Sequence, residues 1–193
     1  MGNLGKTIYI TGLIIGVFIR VTFIFKKKNI KTNIDRKSLI DLSMLFLILC
    51  ATFIIPLCYI FSPWLNFANY YLPLWTTVFG LILFIISLLL FWKSHADLDK
   101  NWHVSLELKK NHILISNGVY KTIRHPMYSS FALWSIAQCL LLQNFLAGFS
   151  TLIIDGIMYF IRVPKEEKMM LDQFGDEYRK YMKRTWRLFP KIF

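Results

Sequence analysis

Charged residues are scarce in this sequence, and their scarcity is the first guide to its class. Only 18% of the 193 residues are charged, whereas 55% are hydrophobic. Soluble globular domains carry about 25% charged residues, so this composition argues against a soluble protein. We therefore predict one integral membrane domain over residues 1–193, too short to divide into several domains.

Glycine pairs and cysteine motifs are also missing. None of the nine glycines forms a GxG, so the sequence lacks the turn that binds dinucleotides in Rossmann-type folds. The three cysteines, Cys50, Cys58 and Cys139, lie far apart in apolar stretches without CxxC spacing. We interpret them as buried thiols and predict neither a disulfide framework nor a metal site.

Long apolar segments make up most of the sequence. The five apolar segments are 4–25, 38–61, 72–92, 127–143 and 145–163. The first three reach the length of about 20 residues that a membrane-spanning helix needs. The last two are shorter and are separated only by Gln143 and Asn144, which predicts a tight helical hairpin. The fold class expected is all-α, with five transmembrane helices.

Basic residues are sorted along the chain. Of the 23 Lys and Arg residues, 21 fall in the segments 26–37, 93–125 and 162–193. These basic segments alternate along the chain with the linkers 62–71 and 143–144, which carry no basic residue, as the positive-inside rule requires if the basic segments are cytoplasmic. The net charge of +12 therefore indicates topology and excludes nucleic acid as the expected partner. We expect the N-terminus outside and the C-terminus in the cytoplasm.

Two further features concern packing. Gly12 and Gly16 form a GxxxG, which we interpret as close packing within the chain, so a monomer is expected. After Pro164, apolar residues recur at helical spacing between charges, which predicts an amphipathic cytoplasmic helix. Pro164 suits the first turn of that helix, and Gly175 is a candidate break or bend.

The stretch "RHP" at Arg124, His125 and Pro126 precedes the fourth apolar segment. Pro126 fits the first helical position, and it disfavours a helical backbone at His125. A helix N-terminus beside an arginine suits an anionic group. The same residues also fit a snorkelling arginine, a capping histidine and, at Tyr128, an interfacial aromatic. The stretch alone leaves both interpretations open.

A second polar cluster, Arg162, Glu166 and Glu167, follows the fifth segment. Because the hairpin makes its two helices antiparallel neighbours, we expect this cluster to lie beside Arg124 and His125. One of the two acids is expected only to compensate the helix dipole. Asp155 lies inside the fifth segment and is either functional or hydrogen-bonded to a neighbouring helix.

Together the clusters resemble a known family. "GVYKTIRHPMY" followed by "RVPKEEKMMLDQFGDEYRKYMKRTWRLFP" is similar to the isoprenylcysteine carboxyl methyltransferase family, especially its small five-span prokaryotic members. The resemblance covers residues 93–193 strongly and residues 1–92 only by topology. It divides the domain into three N-terminal spans, then a cofactor loop, a helical hairpin and a catalytic tail. Ser129 and Ser130 depart from the family, in which a glycine is common soon after the tyrosine.

The resemblance implies a methyltransferase with S-adenosylmethionine as cofactor and a lipophilic carboxylate, such as a C-terminal isoprenylcysteine, entering from the bilayer. Arg124 would hold the substrate carboxylate or the methionine end of the cofactor. Glu166 would orient Arg124 or the donor, with Glu167 as second choice. The implied cofactor pocket comprises His112, Ile115, Gly118, Tyr120, His125, Pro126 and Tyr128.

Two other activities remain open at this stage. A phospholipid or amine N-methyltransferase would need a base, and Glu166 or His125 could serve. An NADPH-dependent sterol-type reductase carries similar strings, but a chain this short leaves little room for a second phosphate-binding region.

Overall fold

The computed structural model describes residues 2–26, 39–98 and 114–191, and all regular elements in these ranges are helical. The all-α fold class is therefore confirmed. The helices are α1 (Gly2–Lys26), α2 (Leu39–Leu49), a π-helical turn (Cys50–Ile54), α3 (Ile55–Phe61), α4 (Leu74–Leu98), α5 (Pro126–Leu142), α6 (Phe145–Phe174) and α7 (Asp176–Arg184). Short 3₁₀ turns cover Asn66–Ala68 and Gly118–Lys121.

Four helical segments are long and apolar enough to cross a bilayer. They are Asn3–Lys26, Ser43–Phe61, Leu74–Leu98 and Phe145–Phe174. The fifth predicted span, Pro126–Leu142, is a shorter apolar helix of 17 residues. Large apolar side chains such as Phe18 and Phe160 are 70% and 76% exposed, as expected of a lipid-facing surface. An integral membrane protein is supported, while the count of five spans stays a prediction.

Helix α5 is central, packing against α1, α4 and α6. Where α1 approaches it, Gly12 and Gly16 face aromatic rings of the same chain. A Cβ on Gly12 would lie 2.1 Å from Phe84 Cε1, and one on Gly16 would lie 2.8 Å from Trp134 Cη2. Phe84 is only 1% exposed and packs edge-on against Trp134 with ring centroids 4.6 Å apart. The predicted role of the glycine pair in packing within the chain agrees with these contacts.

The π-helical turn frees backbone carbonyls inside the membrane, and side chains from other helices bond them. The Ala51 carbonyl accepts from Ser150 Oγ at 2.8 Å and from Thr151 Oγ1 at 2.9 Å. The Thr52 carbonyl accepts from the Tyr9 hydroxyl at 2.7 Å. Because hydrocarbon offers no hydrogen bonds, these contacts satisfy groups that would otherwise be costly to bury. They fix the second span against α1 and α6.

The prediction that Pro164 begins a new helix is wrong. Helix α6 runs without interruption from Phe145 through Pro164 to Phe174. Proline removes one backbone hydrogen bond inside a helix, but flanking residues on both sides stay helical here because α6 packs against α5. The helix ends instead at Gly175, whose φ of +51° is open to glycine at little cost. The predicted tail helix is thereby split into the end of α6 and the separate α7.

Gly12→Ala tests the packing of α1. The new methyl group meets the buried Phe84 ring, and overpacking of this kind costs about 1–3 kcal/mol. We expect a melting temperature lower by roughly 2–10 °C in detergent. Gly156→Ala is the matched control, because nothing lies within 4 Å of a Cβ there and alanine favours a helix. Equal melting of the two variants would contradict the packing described.

Candidate functional site

Helix α5 begins as the sequence predicts. His125 has φ −123° and ψ 59°, outside the helical region, and Pro126 occupies the first turn. The residues before it pair with the tail through backbone bonds. Arg124 N donates to Trp186 O at 2.8 Å, His125 N to Arg187 O at 3.1 Å, and Trp186 N to Thr122 O at 2.9 Å. The tail therefore lies alongside the entrance to α5.

Glu167 joins the three parts of the site. Its side chain is 7% exposed, and Oε1 accepts from Arg124 Nε at 3.3 Å and lies 3.3 Å from His125 Nε2. Arg187 reaches the same carboxylate with two bonds, 3.2 Å from Nε and 2.5 Å from Nη2. The hydrogen bond to Glu167 raises the pKa of Arg187. A single buried carboxylate thus ties α5 and the tail to α6.

Arg124 also holds the end of α7. Its Nη1 donates to Met182 O at 2.9 Å and to Thr185 O. Cations near a helix C-terminus bind the last free carbonyls in this way. Nε and Nη1 are therefore both engaged by the protein, and the side chain is 9% exposed. The snorkelling interpretation of Arg124 does not fit this position.

Glu166 faces a different group of partners. Its Oε1 accepts from the Tyr128 hydroxyl at 2.6 Å and lies 3.8 Å from Arg162 Nε. Its Oε2 is 3.7 Å from His125 Nδ1. Arg162 Nε is buried without a hydrogen-bond partner among the described residues. The expectation that Glu166 orients Arg124 is corrected: Glu167 makes that contact, because successive helical residues point about 100° apart.

A cavity of about 790 Å³ lies between α1, α2, α5 and α6. Its polar end contains Arg124, Arg162 and Glu166, together with Tyr128, Tyr178 and Tyr181. The remaining wall is largely apolar and includes Leu13, Val17, Leu49, Phe131 and Leu152. Glu166 lines this cavity, whereas Glu167 does not. The volume falls within the range of roughly 300–1,000 Å³ that small-molecule sites occupy.

The predicted cofactor residues are distributed unevenly around the cavity. Those in its lining are Ile115, Tyr120, His125, Pro126 and Tyr128. Gly118 does not line it, and His112 lies outside the described residues, as does most of the predicted cofactor loop. Within the ranges described, no group of three His, Cys, Asp or Glu side chains could hold a metal ion.

Gly118 has a structural role that involves Asp97, a residue the sequence analysis missed. Gly118 has φ +55°, and a Cβ there would lie 2.0 Å from Asp97 Oδ2. Asp97 accepts from Val119 N at 2.8 Å and pairs with Lys93 at 2.9 Å. The glycine therefore lets the Asp97 carboxylate reach the backbone at the start of the 3₁₀ turn. The spacing of Lys93 and Asp97, four residues apart on one helix face, was the available signal.

Tyrosines and a serine complete the contact between the tail and the site. The Tyr181 hydroxyl donates to Tyr120 O at 2.7 Å, and burial raises the pKa of Tyr181 to about 12, so it remains a neutral donor. Ser129 Oγ donates to Leu188 O at 2.5 Å. The departure from the family pattern at Ser129 thus supplies a further bond to the tail. Arg187, also missed from sequence, precedes the closing "LFP" by one residue.

Comparison with known proteins identifies relatives of this chain. The profile of the isoprenylcysteine carboxyl methyltransferase (ICMT) family matches residues 78–172. A protein-S-isoprenylcysteine O-methyltransferase of Schizosaccharomyces pombe is 33% identical over 92 residues, covering 46% of this chain and 38% of that protein. The Homo sapiens protein of the same name is 30% identical over 133 residues, covering 64% and 47%.

A third relative, protein-S-isoprenylcysteine O-methyltransferase B of Arabidopsis thaliana, is 27% identical over 113 residues and is covered over 57% of its length. The chain thus spans about two to three fifths of these curated relatives. A solved structure of a eukaryotic intramembrane Ras methyltransferase, ICMT, matches with TM-score 0.54 at 24% identity, covering 83% of this chain and 55% of that one. This likeness supports an ICMT-like membrane fold.

The two adjacent acids should differ in their effect on stability. Glu167→Gln leaves Arg124 and Arg187 without their carboxylate, and breaking a buried ion pair costs about 3–5 kcal/mol. We expect the lower end of that range, since the Arg187 side chain is 37% exposed. Glu166→Gln keeps an oxygen for Tyr128 and should melt close to the wild type. Thermal denaturation in detergent measures both, and similar losses in the two variants would refute the assignment.

Proposed function

We propose that this chain, whose residues 78–172 match the isoprenylcysteine carboxyl methyltransferase family, is an integral membrane carboxyl O-methyltransferase that uses S-adenosylmethionine. The observation that carries the proposal is the single cavity that joins a polar end, at Glu166 and Arg162, to an apolar wall within the membrane helices. One ligand can place a charged group and a lipid tail in such a cavity together.

The polar end of the cavity offers one group to each ligand: a cation for the acceptor carboxylate and a carboxylate for the positively charged S-adenosylmethionine. Arg162 Nε offers a buried N–H that lacks a hydrogen-bond partner among the residues described. Glu166 offers a carboxylate that is 23% exposed and lines the cavity. Tyr128, His125 and Ile115 are the nearby lining residues that would hold the rest of the cofactor. His112, Gly118, Tyr120 and Pro126 complete the set that family resemblance proposes, with Gly118 acting through the backbone.

The acceptor we propose is a lipophilic carboxylate, such as a C-terminal isoprenylcysteine, that enters from the bilayer. When bound, S-adenosylmethionine supplies a methyl group that the carboxylate oxygen takes, while the sulfur keeps the electron pair of the broken C–S bond. The acceptor is already ionised at neutral pH, so no strong base is needed. Catalysis then depends on alignment and on exclusion of water.

The residues divide into two roles. Arg162 would bind the acceptor carboxylate, because its Nε is buried at the cavity wall and has bonding capacity left. The negative charge of Glu166 would stabilise the binding of S-adenosylmethionine, which is positively charged. Arg124 and Glu167 would position these groups, since Arg124 Nε and Nη1 are already bonded within the protein. Arg124 thereby changes from the expected substrate clamp to a positioning residue.

Methyl transfer tests the proposal directly. Purified protein with methyl-labelled S-adenosylmethionine and N-acetyl-S-farnesylcysteine should give a labelled product that mild base hydrolyses, because an ester is base-labile and an N-methyl group is not. Glu166→Gln should fold normally and lose about ten-fold or more in turnover. Label found instead in phosphatidylethanolamine, or binding of NADPH in place of S-adenosylmethionine, would overturn the proposal.

We also propose the orientation that the charge sorting predicts, with the N-terminus outside and the C-terminus in the cytoplasm. In a variant without native cysteines, a single cysteine at the exposed Asn66 should react with a membrane-impermeant maleimide in intact cells. One at Lys191 should react only after permeabilisation. Labelling of position 191 from outside would reverse the proposed topology.

A further inference from the structure

Helix α6 presents a polar stripe to the cavity. The lining residues Thr151, Asp155, Tyr159, Arg162 and Glu166 follow at intervals of three or four, and so share one helix face. The stripe begins at the reactive end, Glu166, and continues into the part of the cavity with apolar walls. At 1.5 Å per residue, Asp155 lies roughly 16 Å along the helix from Glu166. The proposed methyl transfer involves only Arg162 and Glu166, at one end of this stripe.

Asp155 differs from its neighbours on the stripe because it lacks a partner. Thr151 Oγ1 bonds Ala51 O at 2.9 Å, and Arg162 pairs with Glu166 at 3.8 Å. Asp155 makes no hydrogen bond or ion pair with the residues in ranges 2–26, 39–98 and 114–191. A carboxyl group within a membrane helix is costly unless it is paired, and such residues commonly mark a substrate path.

Two tyrosines near Asp155 have their hydroxyl protons engaged elsewhere. Tyr9 and Tyr128 lie within electrostatic range of Asp155. However, the Tyr9 hydroxyl donates to Thr52 O at 2.7 Å, and the Tyr128 hydroxyl donates to Glu166 at 2.6 Å. Both phenolic protons are therefore used elsewhere. The open direction for Asp155 is the cavity that it lines.

We propose that Asp155 forms a polar subsite in the lipid-binding part of the cavity. It would select an acceptor whose hydrocarbon chain carries a hydrogen-bond donor, a hydroxyl or an amine, roughly 10–16 Å from the methylated carboxylate, which is the helical rise from Asp155 to Arg162 and to Glu166. This inference rests on the proposed function, because it takes the acceptor to lie along α6 with its carboxylate near Arg162 and Glu166. Asp155 then determines specificity and takes no part in methyl transfer.

The experiment compares two acceptors that differ in one group: a plain S-farnesylcysteine and an analogue with a hydroxyl near the distal end of the prenyl chain. A terminal amine in place of the hydroxyl forms a third arm. For the wild type we expect a KM about three- to ten-fold lower for the hydroxyl or amine analogue, as one additional hydrogen bond predicts. The kcat values should be similar, because Asp155 is far from the reacting carboxylate.

Two variants and a control locate the effect. Asp155→Leu should abolish the preference, so that the plain and the hydroxylated acceptor have equal KM values, whereas Asp155→Asn should retain part of the preference through the amide oxygen. Asp172→Leu is the matched control, since Asp172 is an exposed residue of the same helix. It should preserve the wild-type preference. If Asp155→Leu does not fold, Asp155→Asn still tests whether the preference depends on the carboxyl group.

Binding of the two lipids without cofactor, measured as a Kd in detergent, separates this inference from the proposed function. If neither lipid is methylated but the hydroxylated one binds more tightly in an Asp155-dependent manner, the subsite stands and the methyltransferase proposal fails. Equal Kd and KM values for both lipids in the wild type would overturn the subsite. The same holds if Asp155→Asn lowers the melting temperature by several degrees without changing lipid preference, since that indicates an internal partner.

Discussion

The buried carboxylate of Glu167 is the interaction on which the site depends. Arg124, His125 and Arg187 converge on it from α5 and the tail, while Glu167 itself belongs to α6. The carboxylate is only 7% exposed, so removing it from water costs free energy. The bonds to Arg124, His125 and Arg187 offset that cost. Because Arg124 also bonds the end of α7, the same ion pair fixes where the tail crosses the entrance to α5. Tyr178, Tyr181 and Leu188 of this part of the chain line the cavity as a consequence.

The adjacent positions 166 and 167 separate structure from chemistry. Glu167 points to Arg124, His125 and Arg187, and Glu166 points into the cavity with Tyr128 and Arg162. The long helix α6 therefore connects the ion cluster around Glu167, the polar end of the cavity and the apolar part of its wall. Its continuation through Pro164 keeps Asp155 and Glu166 in one helical register. A break in the helix at Pro164 would have changed the orientation of the apolar wall of the cavity relative to its polar end.

Local features were predictable from the sequence, and long-range pairings were not. The helix start at Pro126, the break at Gly175 and the role of Gly12 follow from backbone preference or from residue size. The course of α6 through Pro164 was mispredicted because packing against α5 outweighs the intrinsic effect of proline. The partners of Glu166 and Glu167 depend on helix phase and on the position of the tail. Arg187 and Asp97 gain their roles only through contacts that the folded chain creates, 20 and 22 residues away.

Hydrogen exchange at the tail tests the central claim, that Glu167 holds the tail against the start of α5. The amide of Trp186 donates to Thr122 O at 2.9 Å and should exchange slowly in the wild-type protein. Replacing Glu167 by glutamine should accelerate exchange of the peptide containing Trp186 by about a hundred-fold, since a loss of roughly 3 kcal/mol lowers the free energy of local opening. Replacing Glu166 by glutamine should leave that exchange unchanged. Equal protection of Trp186 in all three proteins would contradict the account.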